Sequence, residues 1–178
     1  EAMLDTFPFV IKGFHADNGS EYINKRVAGM LGKLHVEFTK SRSRQTNDNA
    51  LVESKNGSVI RKILGYIHIP QRFASHVNDF NTLHLVPYIN YHRPCFFPII
   101  EVDAKGKERK KYLYENMMTP YDKLKSLDDA AQYLKPGLSF LALDAIALRV
   151  SDNEAAAQLQ AARKQLFETI FGQNKAAG

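Results

Sequence analysis

The run FVIKGFH (residues 9–15) has the β-branched and aromatic content of a strand, and Asp17 follows it, opening the turn-forming string Asn-Gly-Ser-Glu. From Ser20, a residue suited to an N-cap, SEYINKRVAGMLGKLH places apolar side chains at 23, 27, 30, 31 and 34, which is helical spacing. VEFTKSR (36–42) then alternates, with Val36 and Phe38 on one face and Glu37 and Thr39 on the other. A polar loop, RQTNDN (44–49), leads into ALVESKNGSVIRKILGYI (50–67), helical again at 52, 59, 60, 63 and 64, with Glu53 in its first turn. This order of strand, acid, helix, strand, loop and helix is that of an α/β protein.

Thirty-five residues separate Asp17 from Glu53. A strand-tip acid and a first-turn acid can face one another and share a divalent ion, and hard carboxylate oxygens suit Mg²⁺ or Mn²⁺. Taken singly, Asp17 is a turn former and Glu53 a helix-start acid favoured by the macrodipole. Asp48, in NDN, reads as loop and cap.

The chain carries 24 basic and 19 acidic residues among 178, a formal charge of +5. Its cations cluster in KSRSR (40–44), KNGSVIRK (55–62) and KGKERKK (105–111), which favours a polyanionic partner, nucleic acid first, over a merely solvated basic surface. The composition, 44% hydrophobic and 24% charged, is globular. The longest apolar run (138–150) is broken by Asp144 and too short for a bilayer, and no secretory segment opens the chain. A lone cysteine, Cys95, suits a reducing interior.

Residues 1–6 read as a helix tail stopped by Phe7-Pro8, and a helix from Pro70 to Pro94 is expected to kink or break at Pro87. Residues 96–127 lack clean periodicity and read as an extended basic arm. Ser151 and Glu154 stand at capping-box spacing before a helix whose stripe is Ala155, Leu159, Ala162, Leu166 and Ile170. That stripe packs on its own chain or forms a dimer seam. The implied division is 1–94, a partial catalytic core, 95–127, a basic arm, and 128–178, a helical region.

The words HADNGSEY, NDNALVESKNGSVIRK, YINYHRPC and TPYDKL resemble the integrase-core transposases of bacterial insertion sequences, over roughly residues 7–127. The resemblance implies a ribonuclease-H-like fold with an Asp, Asp, thirty-five, Glu triad, in which Asp17 is the second aspartate and Glu53 the glutamate. It also implies a two-metal Mg²⁺ or Mn²⁺ site, and phosphodiester cleavage followed by strand transfer in DNA transposition and integration. His15, Asn18 and Asn56 would support the ligands, His15 being equally a packed side chain. Lys40, Arg42, Arg44, Lys55, Arg61, Lys62, Lys105, Lys107, Arg109, Lys110 and Lys111 would contact DNA phosphates, or in part be solvated charges.

The partners so implied are element ends and target DNA, with homo-oligomers, no membrane and no small-molecule cofactor, at a bacterial, cytoplasmic, nucleoid-associated location. Only sixteen residues precede Asp17, too few for the family's first three strands and helix. Only the second half of the fold is therefore expected, lacking the strand that bears the first aspartate, and Asp5 in the helix tail does not replace that residue. Such a stretch alone is expected to be catalytically incompetent. The alternatives are a non-catalytic DNA-binding or assembly subunit, or a nuclease of the same fold.

Overall fold

The computed structural model describes residues 6–16, 25–40 and 56–172, in two compact units, one of residues 10–69 and one of 1–9 with 70–178. The division at Ile69/Pro70 falls well before the composition shift at Pro94. The helix tail expected over 1–6 lies outside the described residues save for Thr6.

In the 10–69 unit, β1 (Gly13–Ala16), α1 (Lys25–Lys33) and β2 (Glu37–Lys40) form a β-α-β unit with parallel strands. The register sets Phe14 beside Phe38 and His15 beside Thr39. Phe14 and Phe38, both half-buried, lie with ring centroids 6.0 Å apart, and Ala16, Leu31 and Val36 are buried. β2 alternates as expected, since Glu37 and Thr39 are exposed.

The turn out of α1 explains why helix becomes strand here. Val36 N–H donates to Leu31 O (2.9 Å) and His35 N–H to Gly32 O (3.1 Å), the paired bonds of a Schellman ending. His35 takes the left-handed position, φ 53°, where glycine is usual. Leu31 and Val36, the residues such a motif brings together, are 2% and 8% exposed. The next helix ends at Leu64, before the residue 67 to which its spacing predicts it. A π-helical segment (Asn56–Arg61) runs into α2 (Lys62–Leu64), and Gly65 stops it at φ 75°, ψ −160°, a conformation open almost only to glycine.

In the second unit a 3₁₀ turn (Gln71–Phe73) begins a long helical stretch: α3 (Ala74–Phe80), then π segments Asn81–Leu85 and Tyr88–His92. The stretch is not interrupted at Pro87, which keeps helical angles, φ −57°, ψ −46°. Proline lacks an N–H and crowds the carbonyl four residues back; widening to i→i+5 bonding on both sides relieves both faults.

Within the stretch expected to be an extended basic arm, residues 95–118 form two short antiparallel ladders. β3 (Cys95–Phe96) pairs with β6 (Met117–Met118), and β4 (Ile99–Val102) with β5 (Glu108–Lys111). Asp103 builds the β4–β5 turn: its Oδ1 accepts the amides of Lys105 (2.9 Å) and Lys107 (3.0 Å), with Gly106 at φ 76°. Every residue of both hairpin strands is exposed, so no core face imposed an apolar alternation on the sequence.

α4 (Pro120–Lys125), α5 (Phe140–Ala147) and α6 (Asp152–Gly172) complete the unit. The capping box forms as its spacing predicts: Ser151 N–H and Oγ–H donate to Glu154 Oε2, both at 2.8 Å, and Glu154 N–H returns to Ser151 Oγ. Those bonds hold the Glu154 carboxyl below its usual range. α6 packs along α3 and the π segments, burying Ala155, Leu159, Leu166 and Ile170, so this stripe packs on its own chain. Among the described residues no helix is long and apolar enough to cross a membrane.

Candidate nucleic-acid interface

β1 and β2 are parallel and in register, and their last described pair sets Ala16 against Lys40. Ligands of α/β sheets collect beyond the carboxyl ends of strands. In sequence Asp17 and Asn18 come directly after β1, and Arg42 and Arg44 just after β2. Those four, with Glu53, Lys55 and the side chain of Asn56, lie outside the described residues. Of the expected supporting residues, His15 is described: it is exposed, and its Nδ1 lies 2.9 Å from Thr39 Oγ1, which tethers the ring to the neighbouring strand. Among the described residues no group of three or more His, Cys, Asp or Glu could hold a metal.

The described cations divide by what holds them. Lys40 and Lys62 are exposed at the end of β2 and the start of α2. The Arg61 guanidinium lies 5.1 Å from the centre of the Tyr66 ring, a cation–π contact within its own segment. On the hairpin, Lys111 donates to Glu101 Oε1 at 2.8 Å, which raises its pKa, and Arg109 Nε lies 3.6 Å from Asp103 Oδ2. Lys105, Lys107 and Lys110 form no ion pair among the described residues. They face solvent, as phosphate contacts must.

Two stretches that carry the resemblance have structural work. In TPYDKL, Thr119 caps α4: its Oγ1 accepts Asp122 N–H (3.1 Å) and donates to Asp122 Oδ2 (2.6 Å), with Pro120 at the first helical position. Tyr121 points into the core, 2% exposed, and donates its hydroxyl to Asp144 Oδ1 at 2.7 Å. Lys125 Nζ reaches both Asp144 oxygens, at 2.6 and 2.7 Å. Burial and the Asp144 bond push the Tyr121 hydroxyl well above its ordinary pKa, while Lys125, then Tyr121, holds the Asp144 carboxyl below its own. Sequence reasoning missed this network; its signal was the acid interrupting an apolar helix. In YINYHRPC, His92 is buried and its Nδ1 meets Asp152 Oδ1 at 3.0 Å, tying the last π segment to the start of α6. A cleft of about 220 Å³ beside it is lined by His84, Tyr88, Tyr91, Arg149 and Gln158 among others.

No family model matches the chain, and no solved structure matches it. Over 60 residues it is 42% identical to y4rM, an uncharacterized protein of Sinorhizobium fredii (strain NBRC 101917 / NGR234). The match covers 34% of this chain and 17% of that protein, so the chain spans about a sixth of the length of this curated relative.

Proposed function

We propose that this chain is part of an integrase-core transposase of the bacterial insertion-sequence type. It would act in DNA transposition and integration through divalent-metal-dependent phosphodiester cleavage and strand transfer. The observation that carries the reading is in the sequence: Asp17 just beyond a strand, thirty-five residues, then Glu53, framed by DNGSEY and NDNALVE. The parallel β1-α1-β2 unit supports it, since its last described pair, Ala16 and Lys40, stands directly before Asp17 in one strand and the 42–44 cations in the other. On this reading the fold is ribonuclease-H-like, the protein works as a homo-oligomer on the bacterial nucleoid, and DNA is its partner.

Asp17 and Glu53 would hold Mg²⁺ or Mn²⁺, whose preference for hard oxygen donors two carboxylates satisfy. Bound there, such ions supply Lewis-acid stabilisation of a displacement at phosphorus. His15, tethered to Thr39, would steady the strand end two residues before Asp17. Lys40, Arg42, Arg44, Lys55, Arg61 and Lys62 would neutralise phosphates around the acids.

The second reading, a non-catalytic DNA-binding or assembly subunit, is favoured by the hairpin, whose cations are remote in sequence from both acids. Calorimetric titration of Mn²⁺ into the whole chain separates the two. Binding is expected in the wild type, and Asp17→Asn and Glu53→Gln should each weaken it by more than the roughly 10–100-fold that loss of an outer-shell partner costs. Absence of Mn²⁺ binding in the wild type, with DNA binding intact, would leave the non-catalytic reading as the conclusion.

A further inference from the structure

We propose that the ladder region around Phe96, Tyr112 and Tyr114 is a stacking platform for unpaired nucleobases, served by the hairpin lysines; the inference rests on the reading of the chain as DNA-binding. Tyr114 is 82% exposed, Tyr112 58% and Phe96 45%. They are not scattered singly. The Phe96 ring centre lies 6.4 Å from that of Tyr112 and 6.2 Å from that of Tyr114, at interplanar angles of 89° and 69°. Edge-on contacts of this kind orient each ring without covering it, and an 82% exposed Tyr114 must keep most of its faces in water.

The rings stand on backbone that is held. Phe96 is in the β3–β6 ladder opposite Met117, Phe97 N–H donates to Asn116 O (3.2 Å), and Asn116 N–H closes the 3₁₀ turn that carries Tyr114 onto Leu113 O (3.1 Å). A clustered aromatic surface in water marks a contact site. Charge says for what. The hairpin bears five cations against Glu101, Asp103 and Glu108, a net +2. Glu101 is taken by Lys111, and Asp103 by its turn amides and Arg109. That leaves Lys105, Lys107 and Lys110, against Glu108, for a polyanion on the hairpin whose second strand leads directly into Tyr112; cations with exposed rings are the combination by which proteins hold single-stranded nucleic acid. In a duplex the base faces are already stacked, so the rings add little there, while the lysines serve both forms.

The test uses the full chain, with binding read by anisotropy of a labelled oligothymidylate of about fifteen nucleotides and of a mixed-sequence duplex at one salt concentration. Tyr114→Ala is expected to weaken single-strand binding about tenfold and duplex binding less than twofold, with Tyr114→Phe close to wild type. Lys107→Gln should weaken both forms and flatten both salt dependences. The chain has no tryptophan, so Tyr114→Trp installs a lone indole, whose emission should be quenched by the single strand and not by the duplex. Equal losses on both forms, or no quenching, with duplex binding intact, would overturn the platform and leave the DNA-binding reading standing. No binding of either DNA by the wild type would overturn both. Unchanged DNA affinity in Tyr114→Ala, with a drop in its sedimenting mass, would assign the surface to self-association instead.

Discussion

Tyr121→Ala is expected to lower the unfolding free energy by about 3–5 kcal/mol, the range for removing a buried aromatic side chain. The ring is the point where α4, α5 and the long helical stretch meet: it lies 5.2 Å from Tyr91 and 6.2 Å from Phe140, centroid to centroid. Tyr121→Phe keeps the ring and loses the hydroxyl's bond to Asp144 Oδ1 (2.7 Å) and its longer contact with Phe140 O (3.3 Å), so about 1 kcal/mol is expected. Urea unfolding of the three proteins measures both differences. A loss in Tyr121→Phe as large as in Tyr121→Ala would mean that the hydroxyl, not the ring, holds the junction.

The network also sets a pH window. Asp144 has a depressed pKa in the folded state, so its contribution is present above the ordinary carboxylate value of 3.8 and fades as pH falls through and below it. Tyr121 is raised, so its contribution is intact below its ordinary value of 10.0 and fades as pH rises beyond that. Melting temperature against pH should therefore fall at both ends. The acid-side fall should shrink in Asp144→Asn, which has no carboxyl to protonate.

Ile170→Ala and Leu159→Ala should each cost about 2–5 kcal/mol, because their side chains, 1% and 4% exposed, leave cavities under α6 that a two-element contact closes poorly. Leu141→Ala, 82% exposed on α5, is the control, with a change within about 0.5 kcal/mol. The same melts distinguish packing on the own chain from a dimer seam. Transition temperatures independent of protein concentration are expected, whereas a seam would make them rise with concentration. Such a rise would reassign the stripe despite its burial.

The features legible in the sequence are those whose causes lie within one turn or one strand. Ser151 and Glu154 are three residues apart and complete their capping box with no help from the rest of the chain. Val36 to Thr39 alternate because one strand face meets α1 and the other water. Gly65 could have announced the end of its helix, but glycine alone does not reveal that its φ is positive; Gly57, in the same run, lies within helix.

Other features exist only once distant segments meet. The Phe14–Phe38 contact needs a parallel register set across α1. Pro87 stays helical because α6 buries Leu85 and its neighbours, and packing of that kind outweighs a local preference for breaking. The 99–111 hairpin carries no alternation because neither face is buried; its register comes from the Asp103 turn and from Glu101 and Lys111 across the strands. Tyr121 and Asp144, twenty-three residues apart, share a bond that no window on the sequence contains. Residue type, spacing and net charge were enough by themselves to suggest a carboxylate pair, a basic polyanion-binding chain and an α/β order, because they are read from the order of residue types along the chain. Which cations stay unpaired, which aromatics remain in water and which motif residues serve the core were decided by the tertiary structure, since burial and ion pairing belong to pairs of groups that the chain itself keeps apart.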